Sequence, residues 1–297
     1  MAWKPDKALG LGVGLMVVLV IIGMEAFLLQ SMLDQPPGLN LYVMALLFVL
    51  SLPLLVLWLY WYYGLATLRY TMDRNALVIA CGASRYVVPM EEIRRTVRGD
   101  EVSILQGFRG VGWPGYLMGS LRLRDLGLLL VASTEPVERQ LIVVTDRMCY
   151  GISPRRPEQF LADLAARQAL GVLHPAEQTV EYVSFVAAPV WRDRWYWATV
   201  LLAFVANAAL FGIIALRYPT LPERLPLHFD AQGMVDRVGF KSGLMVVPTI
   251  GALSLAANGA LGTILHGRER LAAYLLAGMT VILQVVLWVA ALGILGR

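Results

Sequence analysis

Charge is scarce in this chain. Asp, Glu, Lys and Arg make up 15% of its 297 residues, against roughly 25% in an ordinary soluble domain, so the fold cannot present water-facing polar surface on every side. Cysteine is scarcer still. Cys81 and Cys149 are too few for a disulfide framework and show no metal-ligand spacing, which leaves them as reduced core residues. A formal net charge of +4 is small for this length and excludes the strongly basic class, so no nucleic-acid partner is expected. No nucleophile elbow, zinc-binding helix, paired catalytic carboxylates or ATP signature occurs. The expectation is a protein that is not an enzyme and carries no cofactor or metal. The glycines at 107, 110, 112 and 115 do not change this, because a phosphate loop opens a helix, whereas Ser120–Arg124 beyond them reads as a strand.

What is abundant is apolar sequence, 58% of the chain. It is gathered into runs at 8–33, 39–68, 195–216, 243–265 and 271–296, charge-free apart from Glu25 and each long enough for the roughly 20 residues that cross a bilayer. These predict five spans, at about 8–32, 40–66, 195–216, 243–265 and 271–295. The first is a retained helix, since its apolar core runs past the roughly 7 to 15 residues of a signal peptide. Lys4 and Lys7 precede it and the loop 34–40 holds no base, which puts the amino terminus in the cytoplasm. The arginine-rich segment 67–194 then returns to the cytoplasm, and the loop 217–242 and the carboxyl terminus lie outside. Trp58, Tyr60, Trp61, Tyr62 and Tyr63, with Trp191, Trp195 and Trp197, form an interfacial aromatic belt. Gly10 and Gly14 have the small-xxx-small spacing of a helix contact.

Between the second and third spans the pattern turns β-like. Strands are expected at Leu68–Met72, Ala76–Cys81, Arg85–Val88, Gly119–Arg124, Leu128–Ser133, Gln140–Thr145 and Cys149–Ile152, with an irregular stretch between the third and fourth. A helix follows, N-capped by Ser153, with Pro154 at its first position and running to about Leu170. Val78, Cys81, Ile93, Ile142, Val144, Phe160 and Leu164 are the expected core. Tyr70 with Leu77–Ile79 and Gly82, Val88-Pro89 before Ile93, the glycine-rich Gly107–Gly119 containing Gly112–Tyr116, and Tyr150–Pro154 with Pro157–Phe160 resemble the bacterial pleckstrin-homology-like (PH-like) domains of membrane proteins. The resemblance covers about 67–170 and implies an α-helical integral membrane protein with an inserted PH-like β-barrel, capped by its C-terminal helix. In those families the fold is an interaction or scaffold module, and no phosphoinositide binding is implied. The layout is then a transmembrane hairpin at 1–66, the PH-like domain at 67–170, a linker at 171–194 and a three-span domain at 195–297.

The outer loop carries a second resemblance. Tyr218–Asp236, with Pro219, Pro222, Pro226, His228, Asp230 and Gly233, followed by Lys241, is similar to a short membrane domain shared with the immunity proteins of the sporulation-delaying toxin system. Asp230 stands where that family usually carries asparagine. The likeness covers roughly 195–265.

His228, Asp230 and Asp236 offer an imidazole and two carboxylates, a set able to hold a metal or relay a proton. The preferred reading of the same residues is a structured recognition loop, in which the prolines hold an extended entry, Gly233 turns the chain and Asp236 pairs with Arg224 or Lys241. Glu25 lies within the first span, where a carboxylate faces protein or water; Asn207, Asn258 and Gln284 are its expected partners. The function expected is a non-enzymatic membrane protein coupling an extracytoplasmic recognition loop to a cytoplasmic PH-like module, in envelope sensing or immunity. Its partners are the lipid bilayer and a protein. The alternatives are a small transporter or channel subunit built on Glu25, and a membrane enzyme or metal site built on His228.

Overall fold

A computed structural model describes residues 2–174, 178–182, 188–229 and 234–296. Five helices are long and apolar enough to cross a membrane: α1 (Ala8–Leu33), α2 (Leu39–Thr67), α4 (Arg194–Arg217), α5 (Val246–Leu265) and α6 (Arg270–Leu295). They leave large apolar side chains such as Leu19, Phe27, Leu54, Leu253 and Val289 exposed, as suits lipid rather than water. Pro53 is accommodated inside α2. This is a membrane protein, with two compact units.

The first unit takes in residues 1–24 and 52–186. It holds β1 (Ala2–Trp3), β2 (Arg69–Met72), β3 (Ala76–Cys81), β4 (Ser84–Pro89), β5 (Ile93–Arg98), β6 (Ile104–Trp113), β7 (Tyr116–Leu123), β8 (Gly127–Ser133), β9 (Leu141–Thr145), β10 (Cys149–Ile152), the helix α3 (Pro157–Ala169) and β11 (Thr179–Tyr182). Two open sheets result, β1-β2-β3-β4-β11 and β5-β9-β10-β8-β7-β6, the latter with a parallel β8–β10 pair among antiparallel neighbours. The barrel expected from the sequence is therefore resolved as two sheets that do not close, a β domain consistent with a PH-like fold. Strand alternation buries Leu77, Ile79 and Cys81 from β3 with Val143, Tyr150 and Phe160 in one core. A second cluster gathers Leu121, Leu129 and Ile142.

Several expectations are corrected here. β5 and β6 occupy the stretch read as irregular, and β11 pairs with β4 inside the supposed linker. Val78 is only half-buried, on the opposite face of β3 from Leu77 and Ile79, and Val144 is half-buried against the second cluster beside Ile142. Ser153 caps no helix: α3 begins at Pro157, while the buried Ser153 hydroxyl accepts from the Thr134 amide at 2.9 Å and the Tyr70 hydroxyl accepts from the Ser153 amide at 3.1 Å. Phe160, Leu164, Ile93, Ile142 and both cysteines are buried as expected.

The Pro114-Gly115 turn of the β6–β7 hairpin is lodged against α1 and α2. Trp113 donates to the Gly10 carbonyl at 3.0 Å and stacks on Trp58 at 5.0 Å. Trp58 in turn donates to the Gly14 carbonyl at 3.2 Å. A side chain at Gly10 would put its Cβ 2.2 Å from the Gly115 oxygen, so only glycine lets the two backbones meet. Gly10 and Gly14 thus accommodate the hairpin turn as well as Leu65 and Tyr62 of α2.

The second unit takes in residues 25–51 and 187–297. Its helices α4, α5 and α6 pack together, joined by a ribbon of β12 (Arg224–Phe229) and β13 (Val235–Phe240) between α4 and α5. Leu225 and Leu244, at the root of this ribbon, are buried with Leu210, Ile214, Ala291 and Ile294.

Candidate functional site

Two ends of the second unit carry the chemistry. At one end is the β12–β13 ribbon, which holds most of the residues singled out from the sequence. His228 lies on β12 opposite Arg237, beside a register shift. Asp236 lies on the exposed strand β13 and has an interaction partner there. Asp230 and Gly233 fall outside the described residues. The ammonium of Lys241 pairs with Glu223 at 3.0 Å and sits over the Tyr218 ring at 5.2 Å. The backbone of Lys241 also donates to the Glu223 carbonyl at 3.0 Å, so the residue closes the base of the ribbon. Along β13 exposed apolar and charged residues are mixed: Val235 and Val238 are exposed by 48% and 57% on either side of Asp236 and Arg237, and Phe240, at the base, is exposed by 66% with the Arg224 guanidinium 5.7 Å from its ring.

The opposite end was not legible from the sequence, which offers its residues only as loop charges. Asp193 precedes the apolar run of α4 and caps it, accepting from the Trp195 and Tyr196 amides at 3.2 Å each. The same carboxylate accepts from the Tyr274 hydroxyl at 2.8 Å and from His266 Nε2 at 2.9 Å. Two guanidinium nitrogens of Arg270 donate to it as well, at 3.1 and 2.7 Å. A carboxylate is acceptor-only, so Nε2 of His266 carries the proton. The Tyr274 hydroxyl, with help from His266, the Tyr196 amide and Arg270, outweighs burial and holds the Asp193 carboxyl well below the usual carboxylate range. One side chain thereby ties the start of α4 to the end of α5 and the start of α6. With its acceptor sites filled, Asp193 is a strut rather than a general base. His266 Nδ1 is buried without a partner among the described residues. An open cavity of about 380 Å³ lies alongside, lined by Arg192, Arg194, Trp195, His266 and Arg270.

A file of polar contacts runs between the two ends. Tyr196 donates to the Gly259 carbonyl at 3.1 Å, and Asn258 to the Thr280 hydroxyl at 2.9 Å. Asn207 donates to Pro248 O at 3.0 Å and to Gln284 Oε1 at 3.1 Å, while Gln284 donates to Gly251 O at 3.2 Å. Of the three amides expected to serve Glu25, Asn207 and Gln284 therefore bond each other and Asn258 bonds Thr280, all within their own bundle. Glu25 is buried, and neither carboxyl oxygen has a partner among the described residues. Among those residues no three His, Cys, Asp or Glu side chains are grouped to hold a metal.

Comparison with known families matches two segments of the chain. Residues 68–168 match the family model of a bacterial PH domain, and residues 198–252, which contain the ribbon, match that of a domain of unknown function, DUF1648. No curated protein and no solved structure matches the chain.

Proposed function

We propose that this bacterial membrane protein is a non-enzymatic coupling device, with the β12–β13 ribbon as its extracytoplasmic recognition element and the PH-like domain as its cytoplasmic interaction module. Its role by this reading is envelope sensing or immunity, and the occupant of the ribbon is another protein. The observation that carries it is the ribbon itself. Val235, Val238 and Phe240 are exposed on a strand whose base is fixed by Leu225, Leu244 and the Lys241–Glu223 pair. A rigid base under an open strand suits peptide or protein capture, because main-chain pairing supplies affinity and alternate side chains supply choice. The interlocked polar file from Asn207 to Asp193 keeps α4, α5 and α6 moving as one body. In the PH-like module we read α3 as the element that completes the core.

A photo-crosslinking residue at Val238 tests this in living cells. A discrete protein adduct is expected at Val238, and none at Leu253 on the exposed face of α5. Equal labelling at the two positions, or none at Val238, would remove the ribbon as the recognition element. A second reading, a transporter or channel subunit, draws on Glu25, whose two oxygens have no partner among the described residues and suit a cation or a polar group from another membrane helix.

A further inference from the structure

From the β6–β7 hairpin we infer a second membrane contact: β6 lies along an anionic lipid surface, with Ile104, Leu105 and Phe108 in the interfacial layer and Arg109 among the phosphates. Four observations meet here. The strand is the edge of the six-stranded sheet and ten residues long. Its Ile104, Leu105 and Phe108 are exposed by 46%, 58% and 36%, a long apolar edge of the kind that soluble proteins cover or blunt with charge. From Val102 to Arg124 the hairpin has Arg109, Arg122 and Arg124 and no acidic residue, with Asp100, Glu101 and Asp125 only beyond its open end, so the charge along the strand itself complements anionic headgroups.

The fourth observation fixes the occupant. The strand ends at Trp113, which is bonded to Gly10 and stacked on Trp58, so its far end is already part of the helix pair. Gly10 and Gly14 lie about 3 and 9 Å along α1 from its first residue at 1.5 Å per residue. Lys7 donates to the Ala66 carbonyl at 2.7 Å, which brings the polar ends of α1 and α2 level with each other. Trp113 therefore sits between about half a turn and two turns inside the apolar stretch, at the depth where tryptophan gathers in bilayers. A strand anchored at that depth has lipid as its neighbour at one end, and its exposed apolar residues extend the same surface. Gly107 and Gly112 leave gaps between the apolar side chains, so the strand presents separate wedges rather than a continuous core-forming face.

The test uses the full chain in nanodiscs containing phosphatidylglycerol. The native cysteines are replaced by alanine, and a polarity-sensitive fluorophore is attached at Leu105→Cys or, as the aqueous control, at Arg147→Cys. The probe at 105 should emit to the blue of the control, be quenched at least two-fold by lipids nitroxide-labelled near the headgroup, and resist iodide. Arg109→Glu with Arg122→Glu should reduce the lipid quenching at 105 and leave the control unchanged. Iodide quenching equal to the control, without lipid quenching, would overturn the inference and leave the strand in water. Protection from both quenchers would overturn it too, in favour of a protein strand added to this edge.

Discussion

Gly251 and Gly259 belong to the same helix, and alanine at each should change stability in opposite directions. In an open helical position Gly→Ala stabilises by about 0.8 to 1 kcal/mol through backbone entropy. Gly259 is such a position, with nothing within 4 Å of an added Cβ. At Gly251 the added Cβ would fall 2.3 Å from Asn207 Nδ2 and 2.8 Å from Gln284 Oε1, in a layer where Gln284 is 1% exposed. Ordinary contact begins at 3.4 Å, so one of the two amides must move by about 1 Å. Overpacking of this kind costs about 1 to 3 kcal/mol. The displaced interhelical hydrogen bonds add about 0.6 kcal/mol each. We expect Gly251→Ala to destabilise by about 2 kcal/mol after the propensity gain is subtracted. Asn207→Ala alone should cost about 1 kcal/mol, for two lost bonds. The double variant should cost less than the sum by 1 kcal/mol or more, because the truncated side chain vacates the space that the new methyl needs. The assay is unfolding in mixed micelles by titration with dodecyl sulfate, followed by circular dichroism. Additivity within about 0.5 kcal/mol, or stabilisation by Gly251→Ala, would show that this layer is not packed as described.

Phe160→Ala in the full chain should cost about 3 to 5 kcal/mol, since the ring is fully buried and meets Trp3 edge-on at 5.7 Å; a loss below 1 kcal/mol would take α3 out of the core. Trp3 precedes the first span, so a fragment limited to 67–170 should show a smaller effect. The depressed Asp193 pKa means that its stabilisation is complete above the unfolded value of about 3.9 and is lost as pH falls toward the folded one. Stability should thus be insensitive to this group between pH 7 and 5, and the further drop of the wild type below pH 4 should be absent in Asp193→Asn. Burial pushes the Cys81 thiol up to about 11 and raises Cys149 as well, so a thiol reagent at pH 8 should modify neither until the chain is unfolded; rapid native labelling would contradict their burial. For orientation, an impermeant thiol reagent on intact cells should label cysteines placed at Gly38 and Val238 and spare one at Asp125. The opposite pattern would invert the topology.

The membrane character and the β-rich segment between the second and third apolar helices were legible in the sequence because their signals are local. An apolar run such as 271–296 must cross a bilayer whatever its neighbours do, since only a helix satisfies its own backbone there. Strands β2, β3, β4 and β7 to β10 could be read within a few residues from alternation and turn residues. β6 could not, because Gly107, Gly110 and Gly112 interrupt the alternation and its apolar residues face outward. The fate of each glycine was likewise decided by long-range contact: Gly10 meets Gly115, and Gly251 meets Asn207 and Gln284. The same holds for the Asp193 strut. Its partners His266, Arg270 and Tyr274 lie 73, 77 and 81 positions away, each an unremarkable charge or aromatic at a span end until packing of α4, α5 and α6 brings them together. Local sequence sets which segments bury themselves. Which side chain then fills a given acceptor or gap depends on the packing of elements distant in sequence, and only the tertiary structure decides that.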